Sequence, residues 1–271
     1  MTMRRLATSL VLALSIAACV GTTGGDVVDF PVAAAGPSDA VAGKPYSLTT
    51  DRGWHVVLTK ATLHVGALYL GQSQPISGAQ NTSCILPGTY VAQVTTGMDV
   101  DLLSPVPQRF PVLGHGTTLP ALVGQVWLTG GPVDQTTDVT PILVIEGTAD
   151  RAGDVRPFRG QITISSNRQE SSGTSAGANT ICKQRIVTPV PTPGVTIQHD
   201  GGLLVRIDPR ILFVNVDFGA LGKFSTGYGF SDDPSQTDPA SPLYYSQPSA
   251  NLYQNLHSAG ALYSFTWDGS L

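Results

Sequence analysis

Hydrophobic and polar positions alternate along much of the chain after Tyr46, and no stretch there shows a sustained helical period. The segments Trp54–Lys60 and Ala61–Leu70 are rich in β-branched and aromatic residues, which favours extended strands. The same reasoning predicts further strands at Tyr90–Thr95, Val123–Leu128, Ile142–Thr148, Gly160–Ser165, Lys183–Val187, Leu203–Asp208 and Leu262–Trp267. Short strands divided by Gly and Pro turns predict an all-β fold, an antiparallel β-sandwich or barrel-like domain.

Two short helices are predicted late in the chain. Asp208 is placed to cap Pro209–Phe213, with proline at the first helical position. Ser249 is the candidate cap of a second helix over Ser249–His257. The proline-rich run Thr188–Gly194 is either a stiff connection inside one domain or a linker between two. A single ectodomain over residues 44–271 is preferred, because the chain on neither side of this run is sufficient to form an independent hydrophobic core.

The N-terminus has the pattern of an export signal. Arg4 and Arg5 precede an apolar run over Leu6–Ala18, and a short basic start followed by such a run is typical of secretion. The run is shorter than the roughly 20 apolar residues that span a bilayer. It ends in Ile16-Ala17-Ala18-Cys19, which resembles the bacterial lipobox. The alternative is a plain secretory signal with a cysteine there by chance.

The lipobox resemblance implies that residues 1–18 are cleaved and that Cys19 receives lipid. Two or three acyl chains hold a protein stably at a membrane. Val20, in place of aspartate, implies an outer-membrane destination, on the periplasmic face or at the cell surface. Residues 19–43 mix Gly, Ala, Pro and short aliphatic residues, which predicts a lipidated tether, with a first strand at Val27–Val32 as an alternative for its second half.

Charge and cysteine content narrow the function classes. Loss of Arg4 and Arg5 with the signal leaves 13 basic and 19 acidic side chains, a formal charge of −6. That balance, without a basic stripe, excludes nucleic acid as the expected partner. With Cys19 assigned to lipid, Cys84 and Cys182 remain, and an even pair in an exported protein predicts a disulfide. Two free thiols are the alternative.

Gly173-Thr174-Ser175-Ala176-Gly177 matches the G-x-S-x-G nucleophile elbow of serine hydrolases. Asp217 and His257 follow in the chain order that a catalytic triad requires. The elbow needs a strand before the serine and a helix after it, however, and Ser175 lies in a Ser/Gly-rich stretch followed by proline-rich chain. A surface loop is therefore the preferred interpretation, and a serine hydrolase using Ser175 is a secondary hypothesis.

The histidines raise the question of a metal site. They are His55, His64, His115, His199 and His257. None has the closely spaced partner that identifies a zinc or copper motif. His55 and His64 can come from neighbouring strands, and His115 lies between two glycines in a loop that can reach over them. These three are the candidate ligands, with Trp54 lining the site, because imidazole suits copper and zinc in an oxidising compartment. Ordinary surface histidines are the alternative.

Short motifs along the chain resemble uncharacterised outer-membrane lipoproteins of the myxobacterial type. They are Gly53–Ala61, His64–Leu70, Val100–Leu103, Val205–Arg210, Val216–Phe218 and Tyr263–Trp267. More distantly, the chain resembles the β-rich copper-handling proteins associated with methanobactin uptake. The second resemblance implies a possible role for copper, although histidines that some of those proteins carry near Pro87–Tyr90 are absent here.

These observations favour a membrane-anchored bacterial lipoprotein of the cell envelope. Its β-rich ectodomain is expected to be non-catalytic, to need no cofactor, and to bind a small ligand or another envelope protein. The alternatives are a copper- or zinc-binding lipoprotein that uses His55, His64 and His115, and the serine hydrolase.

Overall fold

The computed structural model describes residues 24–73, 89–128, 141–162, 186–224, 227–231, 246–258 and 261–271. Cys19, Cys84, Cys182 and Ser175 lie outside these ranges, so the lipidation site, the disulfide and the nucleophile stay predictions. Within the described ranges, no helix is long and apolar enough to cross a bilayer.

The described residues form strands, one α-helix and two short 3-10 helices. The strands are β1 (Val27–Phe30), β2 (Val32–Ala35), β3 (Tyr46–Thr49), β4 (His55–Val65), β5 (Ala67–Gly71), β6 (Tyr90–Val94), β7 (Met98–Asp101), β8 (Gln108–Arg109), β9 (Gly114–Thr117), β10 (Val123–Leu128), β11 (Leu143–Arg151), β12 (Asp154–Ile162), β13 (Ile186–Pro191), β14 (Gly202–Ile207), β15 (Gly222–Phe224), β16 (Gly227–Ser231) and β17 (Tyr263–Asp268). The helices are the 3-10 turns Pro209–Phe213 and Phe218–Ala220, and α1 (Gln247–Asn255).

The strands assemble into three sheets. The first has the order β1-β9-β6-β5-β10-β13 and is antiparallel throughout. The second runs β15-β16-β12-β11-β4-β3, with β7 also paired to β4, and the third runs β17-β14-β2-β8. Two strand pairs, β12 with β16 and β14 with β2, are parallel. The predicted all-β, sandwich-like fold is confirmed, and no sheet in the described part of the chain closes into a barrel.

One hydrophobic cluster draws side chains from all three sheets. The long strand β4 shows how the sequence builds it, since Val56, Leu58, Leu63 and Val65 point inward and are buried. Strand β13 holds Pro189 and Pro191 at the edge of the first sheet, where a missing N–H costs no ladder hydrogen bond. The run Thr188–Gly194 therefore begins as a strand of this sheet.

Both predicted helices exist, with one change of boundary. Asp208 accepts a hydrogen bond from Arg210 N and caps the turn Pro209–Phe213 as expected. The second helix begins at Gln247 rather than Ser249, because Ser246 supplies the cap and Pro248 fits the first turn.

The predicted tether over residues 19–43 is too long. Strand β2 lies in the middle of the third sheet, parallel to β14 and antiparallel to β8. Val32 and Ala34 pack into the main core, while Ala33 and Ala35 contact Leu204 on the opposite face. Small apolar side chains resemble a linker in composition, yet they let this strand be buried on both faces. Residues 27–35 of the predicted tether therefore belong to the folded part, in line with the alternative of a first strand at Val27–Val32, and the folded part begins no later than Val27.

Candidate functional site

The outer face of the first sheet carries a continuous row of polar and aromatic side chains. Asp29, His115, Gln93, Tyr69 and Gln125 are successive partners in register across five strands. Side chains alternate between the faces of a strand, and the neighbours of these residues point into the core. We call these five residues the outer row.

Three aromatic rings lie together on this face, and one of them is Tyr69 of the row itself. Tyr69 packs against Trp127 with ring centroids 4.5 Å apart and against Tyr90 at 5.4 Å. Trp127, Ala67 and Tyr69 form a small cluster separate from the main core, as expected for side chains on the far side of the sheet. Trp127 is buried, whereas Tyr90 is 39% exposed. We call Tyr69, Tyr90 and Trp127 the ring group.

Gln125 connects the rings through its side-chain amide. Its Oε1 accepts a hydrogen bond from Trp127 Nε1 at 3.0 Å, and its Nε2 donates to the Tyr90 hydroxyl at 3.5 Å. Burial of an amide is costly unless its donors and acceptors are used. The amide of Gln125 is buried and bonded at both ends, so it fixes how the indole and the phenol lie relative to each other.

At the other end of the row, His115 is oriented by a carboxylate. Its Nδ1 lies 2.8 Å from Asp29 Oδ1, and both side chains are exposed. In the neutral imidazole Nδ1–H donates to the carboxylate, which leaves Nε2 as an acceptor directed away from Asp29. Gln93 is also exposed. Hydrogen-bond donors and acceptors therefore lie on the same face as the tyrosine rings.

Sequence reasoning selected His115 but missed the rest of this face. The local signal was present, since Leu68-Tyr69-Leu70 and Gln125-Val126-Trp127-Leu128 alternate between apolar residues and aromatic or amide residues. That alternation places Tyr69, Gln125 and Trp127 opposite the core. It does not say that the strands are neighbours or what their register is.

The three candidate metal ligands are not brought together. His55 and His64 lie at the two ends of β4, about 30 Å apart for nine residues of extended chain, and His115 is in the first sheet. Within the described residues, no three His, Cys, Asp or Glu side chains are close enough to hold a metal ion. Metal binding by these histidines stays a prediction, but they do not form one ligand set.

His64 is the most unusual of the three. Its Nδ1 lies 2.7 Å from Asp99 Oδ1, across the pair of β4 and β7. Its Nε2 is buried and has no hydrogen-bond partner among the described residues. This nitrogen lies against Gly97, where a Cβ would be 2.7 Å from it. One imidazole and one carboxylate fall short of the three or four protein ligands of a zinc site, so these residues do not fit a closed metal centre.

Trp54 does not line a site with His55. The two are consecutive, so their side chains point to opposite faces, with Trp54 fully buried and His55 exposed. The Trp54 ring packs against Phe218 at 5.7 Å and lies under the Arg151 guanidinium at 4.4 Å. Its Nε1 donates to Asp217 Oδ1 at 3.0 Å. The indole is therefore part of the packing between the β3–β4 turn and the chain around Asp217.

The carboxylate of Asp217 takes part in this packing through hydrogen bonds. Its Oδ1 accepts hydrogen bonds from Trp54 Nε1 and Gly219 N. Burial alone would raise the pKa of Asp217, but these two hydrogen bonds and the charges of Arg151 and Arg52 together lower it. His257 follows α1, contacts the Tyr253 ring, and has its pKa lowered by burial. The candidate acid of a triad thus has a structural role.

Comparison with known proteins gives one distant structural match. No protein-family model matches the chain, and no curated protein matches it. Among solved structures, the chain is similar to MbnP from Methylosinus trichosporium, at 13% identity and a TM-score of 0.40, over 89% of this chain and 98% of that chain. The match is in line with the more distant resemblance seen in the sequence. A match at this TM-score does not indicate a ligand for this chain.

Proposed function

We propose that this protein is a membrane-anchored lipoprotein whose β-rich domain binds a saccharide on the outer face of its first sheet and catalyses no reaction. Saccharide binding is supported by the position of the polar side chains of the outer row next to the aromatic side chains of the ring group. The anchor rests on the lipobox at Cys19. The hydrogen bonds that Trp54 and Gly219 donate to Asp217 count against its use as the acid of a triad with Ser175.

The chemistry of this face suits a sugar. An aromatic ring has a negative face that attracts the weakly positive C–H groups of a pyranose. Amide, imidazole and carboxylate groups supply the donors and acceptors that hydroxyl groups need. Tyr90 and Tyr69 offer the rings, and Gln93, His115 and Asp29 offer the polar groups on the same face.

The ligand is expected to meet a surface that is already formed. Gln125 holds Tyr90 and Trp127 through hydrogen bonds, and Asp29 holds His115. Side chains that are ordered before binding lose less conformational entropy when the ligand arrives. The glycans of the bacterial envelope provide saccharides in the compartment that the export signal implies.

Replacement of Tyr90 by alanine is expected to weaken saccharide binding about tenfold, or roughly 1.4 kcal/mol. The reason is loss of the most exposed ring of the ring group. Binding of N-acetylchitotetraose and of maltotetraose to the purified ectodomain, followed by calorimetry and NMR chemical shifts, provides the measurement.

Two further variants control this experiment. Tyr90→Phe keeps the ring but removes the hydroxyl that accepts from Gln125 Nε2, so it should bind more tightly than Tyr90→Ala and more weakly than the unmodified protein. Val155→Ala alters an exposed side chain of β12 and should have no effect. An unchanged Kd in Tyr90→Ala would contradict the proposal. So would the lack of any response to both saccharides.

Copper or zinc binding at His64 is the second candidate function. The observation that favours it is an imidazole held by a carboxylate with its other nitrogen buried and unbonded among the described residues. Metal-binding histidines commonly show this orientation by a carboxylate. A single imidazole predicts weak binding at one equivalent.

His64→Gln is expected to abolish that equivalent, whereas His55→Gln, at the far end of the same strand, should retain it. Titration of the metal-free ectodomain with copper or zinc, followed by calorimetry, gives the stoichiometry and the affinity. No binding by the unmodified protein, or the same binding by His64→Gln, would exclude this function for His64.

A further inference from the structure

We propose that the end of the first sheet that carries Val27 and Leu122 rests on the lipid surface. This inference relies on the proposed anchor at Cys19 and adds an orientation to it. We call this part of the molecule the entry end, defined by Gly24, Val27, Leu119 and Leu122.

Register places these residues at one end of the sheet. Val27 pairs with Thr117, Gly71 pairs with both Tyr90 and Val123, and Val123 pairs with Pro191. Leu122 directly precedes β10, and its N donates to Gly71 O at 2.9 Å. The opposite end of β9 is Gly114, preceded by Leu113.

The chain is fixed to the fold at this end. Asp26 N donates to Thr118 Oγ1 at 2.7 Å, and Thr118 N donates to Asp26 O at 2.9 Å. Asp26 also pairs with His199 at 3.2 Å. Gly24 lies against Leu119, whose Cδ1 would be 2.6 Å from a Cβ at that position. The attachment point is therefore set by contacts that begin at Gly24.

The tether to the lipid is shorter than the domain is wide. From Cys19 to Gly24 there are five residues, which reach at most about 18 Å when fully extended. A folded chain of about 250 residues has a diameter of about 45 Å. A domain attached at the entry end by so short a tether cannot turn its opposite end to the membrane. The entry end therefore stays within reach of the lipid headgroups.

The side chains of the entry end suit a shallow lipid contact. Val27 is 67% exposed and Leu122 is 64% exposed, so this end of the sheet presents aliphatic side chains to its surroundings. Leu119 is partly buried and packs against the core beside them. The Asp26 carboxylate lies 3.2 Å from His199 Nε2. Apolar side chains beside an acyl anchor add to membrane affinity by burial at the headgroup boundary.

Tryptophan quenching by lipid tests this orientation on the full-length, lipidated protein. Leu122→Trp at the entry end and Leu113→Trp at the opposite end, 58% exposed in the native chain, form a matched pair with the same three native tryptophans. Both are reconstituted in phosphatidylethanolamine and phosphatidylglycerol vesicles that contain doxyl-labelled phosphatidylcholine. Leu122→Trp is expected to be quenched about twofold more strongly than Leu113→Trp.

Hydrogen exchange on the unsubstituted lipidated protein provides a second measurement that needs no substitution. Vesicles should slow exchange in residues 24–30 and 117–123 more than in residues 104–113. Equal quenching of the two variants together with unchanged exchange overturns the docking.

The outcomes separate this inference from the proposed anchor and from other partners. Mass spectrometry of the N-terminal peptide first establishes whether Cys19 carries lipid. Absence of the lipid would overturn the anchor and the docking together, whereas lipidated protein with equal quenching and unchanged exchange overturns the docking alone. A concentration-dependent change of Leu122→Trp emission without vesicles would assign the entry end to a second copy of the chain and would also overturn lipid docking.

Discussion

A chain shortened to begin at Lys44 is expected not to fold. This deletion removes everything that the composition assigns to a signal and a tether, but it also removes β1 and β2. Val28, Phe30 and Val32 leave the main core, and each such side chain contributes about 1.5–3 kcal/mol by burial. The backbone of β14 also loses its parallel partner over Leu203–Arg206. Together these losses are comparable to the whole stability of a typical domain, about 5–15 kcal/mol.

Circular dichroism and thermal unfolding of the shortened chain give the measurement. A chain that begins at Gly24 is the control, because it keeps Asp26 on Thr118 and both strands. It should unfold cooperatively, as the full ectodomain does. A cooperative transition in the chain that begins at Lys44, close in midpoint to that of the control, would show that β1 and β2 are dispensable and would restore the longer tether.

Local pattern predicted the fold class and several of the strands, because alternation can be read from neighbouring residues. Val123–Leu128 matches β10 exactly in extent, and Leu203–Asp208 matches β14 within one residue at each end. The strand predicted over Ala61–Leu70 is in fact the end of β4 and all but the last residue of β5, because the chain passes from the second sheet to the first at Gly66. Alternation does not mark such a change of sheet when the residues on both sides favour strands.

The pairing of strands that are far apart in the sequence could not be predicted from local alternation. Strand β2 is held in place by β14, which lies about 170 residues later in the chain, and its Val-Ala-Ala-Ala sequence has no alternation of its own. Burial on both faces removes the polar positions that make a strand recognisable. A short run of small apolar residues near a lipobox therefore predicts a tether by composition, although tertiary packing makes it a central strand.

The candidate ligand surface shows the same limit. Each member of the outer row has an ordinary local context, and His115 between two glycines gave the expectation of a loop although it lies in β9. The row exists because four strand pairs bring Asp29, His115, Gln93, Tyr69 and Gln125 into register. Register depends on the hydrophobic face of every strand at once, so no single segment carries the signal.

Replacement of Trp54 by alanine is expected to destabilise the domain by about 3–5 kcal/mol. The ring is fully buried, packs against Phe218, and lies under the Arg151 guanidinium. For a domain of this size the loss corresponds to a fall in Tm of about 10 °C. Urea and thermal unfolding provide the measurement. His55→Ala is the matched control, because the neighbouring side chain is exposed and its removal should change stability by less than about 0.5 kcal/mol.

Trp54→Phe separates packing from the hydrogen bond to Asp217. It keeps a ring beside Phe218 but removes the donor Nε1, and loss of a hydrogen bond to a charged group costs about 1.5–3 kcal/mol. Because the pKa of Asp217 is lowered in the folded protein, its contribution is present above the ordinary carboxyl pKa and is lost as pH falls through the folded value. Without Nε1 that pKa should rise, and acid unfolding should shift to higher pH. Equal destabilisation by alanine and phenylalanine would contradict the packing role of Trp54, and an unmoved acid transition would contradict the role of its hydrogen bond.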